Sequence, residues 1–308
     1  MKLRQITPAD FDAVRKADKL AWAEFAKPRN TLHLRTTTNI LSNWNEDPHG
    51  CFLAEEKDDV LGYVFSHTWG KLGWVGILGV IPDCRGKGIG KKLLEKSVKY
   101  LERNGCTTIG LETRPENFYN VGMYISTAFS PKYITLLLSL PTFDHGANEI
   151  AVEWSKLEQT DQKVMIEQFL SICHSVQPGL DYTKTGRLRV LYGEGEIIAF
   201  GNWKNPWGFV VVRTVSQRVG EQFKDAFVEA LVIRPGNESK FLVMLRSLGS
   251  LARKWGKSNL VVPVNTRNWR ATRTLVSEGY RVHRGMLRMM YKEQEMNESA
   301  VNLSFWIM

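Results

Sequence analysis

The sequence predicts an α/β chain, more closely an α+β chain, in which one arrangement of helices and strands occurs twice in tandem. A length of 308 residues is enough for two domains of ordinary size. In both halves, apolar runs of strand length alternate with segments whose apolar residues recur at helical spacing. The halves also align at a constant offset of 151 positions from residue 88 to residue 129, where Gly105 falls on Gly256 and Phe129 on Tyr280. An internal duplication is the simplest explanation.

The pattern of the first half predicts a strand, two helices, three strands, and then helix, strand, helix and strand. Thr7 followed by Pro8 is typical of a helix start, and Gly105 is typical of a helix end. The three consecutive strands predict an antiparallel meander. The expected strands are residues 3–6, 51–55, 60–69, 74–81, 107–113 and 132–140, and the expected helices are about residues 8–25, 36–45, 91–104 and 117–127.

A turn-rich stretch, residues 141–148, predicts a linker between the halves. We therefore expect a first domain over residues 1–142, a linker over 143–148 and a second domain over 149–308. The tail, residues 293–308, ends in an apolar run that is expected to add a strand to one of the halves. In the second half the expected strands are residues 150–154, 188–192, 197–203, 209–213, 230–233 and 260–264, and the expected helices are 161–173, 241–255 and 269–277.

Charge and cysteine usage exclude several classes of function. The net charge of +9 is spread over both halves without a block of like charges, so no nucleic-acid-binding arm is expected. The four cysteines form no C-x-x-C pair, so neither a zinc site nor a disulfide framework is indicated. The first residues lack the apolar segment of a signal peptide, and no apolar run is long enough to span a bilayer. We expect a cytoplasmic protein, monomeric or homodimeric, without a nucleic-acid or membrane partner.

A glycine-rich turn lies where the expected strand at 74–81 passes into a helix. Backbone N–H groups at a helix start have no partner within the helix, and the helix dipole favours an anion there. The glycines leave the backbone bare, and basic residues add positive charge. We interpret the turn as a pyrophosphate-binding loop, although an ordinary strand-to-helix turn is the alternative. This glycine loop consists of Arg85, Gly86, Lys87, Gly88, Ile89, Gly90 and Lys91.

The loop motif is V-x-P-x-x-R-G-x-G-I-G, from Val80 to Gly90, and it resembles the acetyl-CoA loop of the GNAT acetyltransferase superfamily. A second motif, L-E-x-R-x-x-N…Y…A-F, runs from Leu111 to Phe129. It is similar to the signature of GNAT enzymes that acetylate protein N-termini, such as ribosomal-protein alanine acetyltransferases. The departure is Ala128, where the family usually has glycine. The resemblance implies two tandem GNAT-type domains, each a mixed, mostly antiparallel sheet flanked by helices, with acetyl-CoA as cosubstrate.

The same resemblance implies a direct transfer of an acetyl group to a primary amine, either a protein N-terminus or a small molecule. Glu112 is then the general base, directly or through one water, and Tyr124 is the general acid that protonates the departing thiolate. Strand amides hold the pantetheine arm and polarise the carbonyl. The expected cofactor-binding residues are Leu78, Gly79, Val80, Arg85, Gly86, Lys87, Gly88, Ile89, Gly90, Lys91 and Asn117.

Each of these assignments has a structural alternative. Tyr124 also suits a half-buried aromatic position on an amphipathic helix, and Glu112 also suits a surface ion pair with Arg114. Asn117 recurs in the second half as Asn268, which allows a purely structural role. His67 is a possible substitute base, or simply a polar strand residue.

The second half keeps the architecture of the alignment but not its chemistry. Gly88 falls on Ser239 and Gly90 on Phe241, whose side chain is expected to occupy the phosphate approach. Glu112 falls on Pro263 and Tyr124 on Leu275, so both ionisable groups are replaced. We therefore expect the first half to be the enzyme and the second half to be a degenerate copy. The alternative function is a non-catalytic CoA-binding sensor or scaffold.

Overall fold

The computed structural model describes residues 1–26, 37–142, 151–215, 224–294 and 301–304. The expected linker, residues 143–148, lies outside the described residues. The first half follows the predicted order of elements, and its strands β2, β3 and β4 form the expected antiparallel meander. Its strands are β1 (Lys2–Gln5), β2 (Cys51–Glu56), β3 (Asp59–Trp69), β4 (Leu72–Val80), β5 (Thr108–Thr113) and β6 (Ser130–Pro141), and its helices are α1 (Phe11–Ala26), α2 (Thr37–Glu46), α3 (Ile89–Arg103) and α4 (Phe118–Ile125).

The second half repeats that whole order and adds one further strand at its end. Its strands are β7 (Ala151–Glu153), β8 (Gly195–Phe200), β9 (Gly208–Arg213), β10 (Asp225–Ile233), β11 (Asn259–Asn265), β12 (Arg281–Lys292) and β13 (Asn302–Ser304), and its helices are α5 (Gln159–Val176), α6 (Thr183–Leu191), α7 (Phe241–Lys254) and α8 (Trp269–Ser277). Strand β12 was missed by the sequence pattern, because its basic residues leave most of its first half exposed. The tail strand that the apolar run predicted is present as β13, which pairs with β10 of the second half.

The prediction of a strand at residues 188–192 was wrong, because most of this segment is the end of α6. In this helix a charged residue is buried and an apolar residue is exposed: the Arg189 side chain is fully buried, whereas Leu191 is 72% exposed. Arg189 is buried because its guanidinium contacts three carboxylates, those of Glu194, Glu229 and Glu46, at 3.0, 2.7 and 3.2 Å. Glu46 belongs to α2, so this buried cluster joins the first half of the chain to the second.

The strands of the described residues form one continuous sheet rather than two. Its order is β1-β2-β3-β4-β5-β12-β6-β11-β10-β9-β8-β7, with β13 paired to β10 off this path. Strand β12 of the second half inserts between β5 and β6 of the first half, and β6 in turn pairs with β11 of the second. The two halves have therefore exchanged their long last strands. This exchange is the main difference from the two separate sheets that the sequence suggested.

The helices cover both faces of this sheet. In the first half, α3 and α4 pack on one face through a buried cluster that includes Leu93, Leu111 and Tyr124. Helices α1 and α2 pack on the other face through a cluster that includes Val14 and Ile40. The glycine loop and the second motif are thereby brought to the same side of the sheet.

The turn after α4 explains the departure at Ala128. Ala128 has a φ of +67°, and its counterpart after α8, Gly279, has a φ of +89°. Both turns have the same bonds: the Phe129 amide donates to the Tyr124 carbonyl at 3.0 Å, and the Tyr280 amide donates to the Leu275 carbonyl at 3.1 Å. A residue with a Cβ is strained in this left-handed conformation, which glycine adopts freely. The first half therefore carries a local strain that the second half lacks.

The two turns give a matched pair of stability predictions. We expect Ala128→Gly to raise the free energy of unfolding by up to about 1 kcal/mol, because it removes the Cβ from a left-handed residue. Gly279→Ala should lower it by about 1 kcal/mol for the converse reason. Both positions are exposed, and a Cβ on Gly279 would make only an ordinary contact with Leu140 at 3.7 Å, so packing changes are small. Urea unfolding measures both effects, and a destabilised Ala128→Gly variant would contradict the assignment of strain.

Candidate active site

The site begins where β4 separates from β5. These parallel strands pair only from Leu72 with Thr108 to Val75 with Leu111, although β4 continues to Val80 along β3. Val75 lies opposite Ser66 and Leu78 lies opposite Val64, so β4 contains one more residue than β3 over this stretch. Such a bulge bends a strand and ends its pairing. The bulge thus opens a cleft between β4 and β5, and we call it the β4–β5 cleft.

The backbone of β4 presents hydrogen-bonding groups to this cleft. The Ile81 amide donates to the Leu61 carbonyl at 3.0 Å, on the side of β3. Because N–H groups alternate in direction along a strand, the amides of Leu78 and Val80 face the β4–β5 cleft, and the Gly79 amide faces β3. A Cβ on Gly79 would lie 2.7 Å from the Tyr63 ring, so this position needs a glycine for packing, and its predicted contact with the cofactor stays a prediction. The amides of Leu78 and Val80 thus lie on the cleft side of β4, and their contact with the cofactor stays a prediction.

The glycine loop connects the end of β4 to the start of α3. Gly86 and Gly88 have φ values of +75° and +76°, so both need the conformational freedom of glycine. The Lys92 amide donates to the Gly88 carbonyl at 3.1 Å. The amides of residues 89–91 precede this first bond of the helix and have no carbonyl within it to reach. A Cβ on Gly86 or Gly88 would meet no atom within 4 Å, so the outer side of the loop is open to an anion.

The basic residues of the loop fall into two groups. Lys87 and Lys91 are exposed at the start of α3, where they add positive charge to the helix terminus. Arg85 is directed inward: its Nη2 donates to the Ala21 carbonyl at 2.8 Å and its Nε to the Val80 carbonyl at 3.3 Å. Arg85 therefore ties the loop to α1 and to the end of β4. Its predicted contact with the cofactor stays a prediction.

Helix α4 closes the same side of the site. A Cβ on Gly90 would lie 3.2 Å from Met123 Sδ, so α4 packs closely on the first turn of α3. Tyr124 follows Met123 and is only 7% exposed. It belongs to the same buried cluster as Val75 and Leu111, which are the last residues at which β4 and β5 pair. Burial raises the pKa of Tyr124 to about 12. The phenol is therefore protonated at neutral pH, as a general acid must be.

Asn117 has a structural role that can be seen directly. It is the N-cap of α4, and its Oδ1 accepts a hydrogen bond from the Asn120 amide at 3.2 Å. Asn268 caps α8 in the same way, through the Ala271 amide at 3.2 Å. The structural alternative that the duplication suggested is therefore present in both halves, and cofactor binding by Asn117 stays a prediction.

Glu112 is the residue of β5 that comes directly after the last pair with β4. Its side chain is fully buried, and Arg288 on β12 donates to its Oε1 through Nε at 2.9 Å. Thr135 on β6 also donates to that oxygen. The other oxygen, Oε2, is buried and accepts no hydrogen bond from the described residues. Sequence reasoning could not find Arg288, since only the exchange of strands places it opposite Glu112.

His67 is a buried residue of β3, on the side of β4 that faces away from the β4–β5 cleft. Its Nε2 is 3.4 Å from the position of a Cβ on Gly76, the residue that follows the last paired residue of β4. Its Nδ1 is 3.4 Å from Glu46 Oε2 in the buried cluster around Arg189. Burial lowers the pKa of His67 to about 3, and burial raises the pKa of Glu46 to about 7. His67 is therefore neutral at physiological pH and belongs to the contact between the halves.

Comparisons with known proteins match the first half of the chain to one family. The model of the acetyltransferase (GNAT) family matches residues 14–129. An acetyltransferase of Pectobacterium atrosepticum is 32% identical over 126 residues, which cover 40% of this chain and 84% of that protein. The chain belongs to the GNAT acetyltransferase family. A mycothiol acetyltransferase of Streptomyces bingchenggensis is 28% identical over 130 residues, and the match spans only 42% of the length of each protein.

Solved structures resemble the whole chain in fold. A putative acetyltransferase from Pyrococcus horikoshii has a TM-score of 0.71 at 18% identity, covering 99% of this chain and 94% of that one. A tandem GNAT protein from the clavulanic acid biosynthesis pathway has a TM-score of 0.61 at 13% identity, covering 96% and 99%. Both similarities extend over the two halves. In the described part of the chain, we find no helix with the length and apolar character that crossing a membrane requires.

The buried imidazole of His67 gives a prediction about pH. An unfolded chain binds a proton at this histidine near pH 6.5, whereas the folded chain resists protonation until about pH 3. The unfolded state therefore binds more protons in this range, and the free energy of unfolding falls as the pH drops below 6.5, by at most about 1.4 kcal/mol per pH unit from this group. We expect His67→Asn to flatten the fall seen in denaturant titrations, and His174→Asn, at an exposed helix position, to leave it unchanged. Equal slopes for all three proteins would refute the assignment.

Proposed function

We propose that the chain is an N-acetyltransferase that moves an acetyl group from acetyl-CoA directly to a primary amine, either a protein N-terminus or a small molecule. The observation that carries the proposal is the meeting of three features at one place. These are the β4–β5 cleft, the open glycine loop at the start of α3, and a buried, protonated Tyr124 on the helix that packs against that start. Family membership supports the acetyl transfer, and the acceptor is our inference.

The residues present fit the diphosphate and the arm of a CoA thioester. The amides of residues 89–91, with Lys87 and Lys91, suit a diphosphate, because they combine free donors, positive charge and the dipole of a 15-residue helix. The amides of Leu78 and Val80 suit the amide-bearing pantetheine arm, which lies along a strand edge as another strand would. Gly86 and Gly88 leave the approach clear of side chains.

The reaction needs two proton transfers, and we assign one to Glu112 and the other to Tyr124. Acetyl-CoA supplies the activated acyl group, and an amine with a pKa near 10 must lose a proton before it attacks. Glu112 is the proposed base, because its Oε2 accepts no hydrogen bond from the described residues and the carboxylate is held in place through Oε1. Tyr124 is the proposed acid, because burial keeps its proton until about pH 12. Neither step needs a covalent acyl-enzyme, and no cysteine is assigned a role.

The proposal predicts a specific loss of turnover in Tyr124→Phe. Removing the hydroxyl should lower kcat by about 10²- to 10⁴-fold, the usual contribution of a general acid, with little change in the affinity for acetyl-CoA. Release of free thiol from acetyl-CoA in the presence of a panel of peptide and small amines measures this effect. Tyr119→Phe is the matched control, since Tyr119 lies on the same helix and is 65% exposed. Unchanged turnover in Tyr124→Phe would remove Tyr124 as the acid.

The glycine loop gives a second matched pair. Gly88 and Gly105 flank α3 with nearly equal φ values of +76° and +74°, and a Cβ on either would meet no atom within 4 Å. Alanine at either position should therefore lower the free energy of unfolding by a similar amount, about 1 kcal/mol. Only Gly88→Ala should also raise the KM for acetyl-CoA, because only Gly88 faces the proposed diphosphate site. Equal KM values in the two variants would count against the loop as that site.

A further inference from the structure

The second half contains a cleft with the geometry of the β4–β5 cleft. Its parallel strands β10 and β11 pair only from Asp225 with Asn259 to Phe227 with Val261, and β10 then continues to Ile233. A bulge follows at once, since Val228 and Ala230 lie opposite the neighbouring residues Val212 and Val211 of β9. The duplication has thus kept the feature that separates the two strands.

This second cleft is filled by the chain itself. Strand β13 pairs with β10 beyond the bulge, with Leu231 opposite Leu303, and the Ile233 amide donates to the Val301 carbonyl at 3.1 Å. Leu303 is fully buried and Val301 is 6% exposed, both in the core of the second half. In the first half, among the described residues, no strand pairs with β4 at the corresponding place.

The helix start beside the second cleft is also unlike a diphosphate site. Phe241 is buried in the core at the position that corresponds to Gly90, rather than in the phosphate approach, where the alignment had led us to expect it. Lys240 lies with its Nζ 5.1 Å above the Trp207 ring. The cleft between β10 and β11 has therefore kept its strand edge, whereas Ser239 and Phe241 stand where the glycine loop has Gly88 and Gly90.

A chain of contacts leads from β13 to the candidate base. The Ser304 carbonyl accepts a hydrogen bond from Arg288 Nη2 at 2.9 Å, and Arg288 Nε donates to Glu112 Oε1 at 2.9 Å. The guanidinium also lies 5.0 Å above the Trp74 ring, which restricts it further. Arg288 thus bridges the end of the tail strand and the carboxylate at the β4–β5 cleft.

We propose that the second cofactor cleft has become a groove for the chain's own strand β13, which lies where a pantetheine arm would lie, and that β13 positions Arg288 and through it Glu112. The chain then binds one CoA, in the first half, and the second half completes the active site. Arg288 is a positioning residue, because its contact is with Glu112. The comparison with the pantetheine arm and the effect on turnover rest on the proposed function; the occupancy of the groove by β13 does not.

The occupancy is tested on the full-length chain with Leu303→Asp, and Leu303→Met is the control. A buried carboxylate without a partner is costly, so the aspartate should expel β13 from the groove. Hydrogen exchange at the Ile233 amide should then become fast in Leu303→Asp and stay slow in Leu303→Met and in the wild type. Calorimetric titration of the wild type with CoA should give one site per chain. Two sites in the wild type, or slow exchange in Leu303→Asp, would overturn the proposal.

The positioning role is tested by turnover of the amine that serves as substrate. Expelling β13 should lower kcat about 10- to 100-fold, the scale of a small displacement of a reacting group, while the KM for acetyl-CoA changes less than about twofold. An unchanged kcat together with fast exchange at Ile233 would overturn this role. If the wild type transfers no acetyl group to any amine, the proposed function fails, and exchange and CoA stoichiometry still decide the occupancy.

Arg288 offers a test that leaves β13 in place. Arg288→Met should lower kcat while exchange at the Ile233 amide stays slow, because the main-chain pairing of β13 is untouched. Arg288→Lys should recover part of the loss, because it keeps a cation beside Glu112, although a lysine lacks the forked geometry of arginine. Equal kcat values for Arg288→Met and the wild type would overturn the positioning role. Because Glu112 loses its partner, Arg288→Met should melt at a lower temperature than the wild type, so kcat is measured well below the melting temperature of each variant.

Discussion

The main-chain pairing of β12 with β5 and β6 is the interaction on which the rest of this structure depends. By inserting between two strands of the first half, β12 joins both halves into one sheet and satisfies the backbone groups of β5 on the side away from β4. It also places Arg288 opposite Glu112, deep enough that the carboxylate is fully buried. A buried carboxylate without such a partner would be strongly destabilising. The second half is therefore a structural requirement of the candidate site in the first.

The buried cluster around Arg189 makes the same connection through charge. It brings together Glu46 from α2, Glu194 and Glu229, with Arg213 as a second cation on Glu229 at 3.0 Å. Such a cluster contributes little net stability relative to apolar packing, but removal of one member leaves an uncompensated buried charge. The cluster therefore specifies how the halves meet more than it strengthens the contact. Glu229 is the residue at the β10 bulge, so this contact and the groove for β13 share one element.

The two clefts show how one geometry serves two purposes. A bulge that ends strand pairing exposes a row of unpaired amides and carbonyls, which are costly if they are buried without partners. In the second half β13 satisfies them with a strand of protein. In the first half we assign that role to the amide-bearing arm of the cosubstrate. The flanking residues differ as well, since Gly88 and Gly90 at the helix start of the first half are replaced by Ser239 and Phe241 in the second.

Local signals in the sequence predicted most of the elements and several residues of the candidate site. The apolar spacing, the Thr7–Pro8 helix start and the glycines gave nearly all the helices and strands, because these signals act over one turn or one strand. The glycine loop and Tyr124 could be identified for the same reason, as their motifs are continuous in the chain. The pattern failed at residues 188–192 and at β12, where a buried arginine and exposed basic residues reverse the usual relation between polarity and burial.

Only the tertiary structure decided which residues of the first half contact which residues of the second. The pairing of Glu112 with Arg288 joins residues 176 positions apart, and the contact between Arg288 and Ser304 depends on where the tail strand lies. No local pattern encodes such contacts, because an exchanged strand has the same alternation of residues whichever sheet it enters. The sequence by itself determined the elements, the duplication and the loop. The exchange of strands, and with it the environment of the candidate base, follows from long-range packing that only the folded chain reveals.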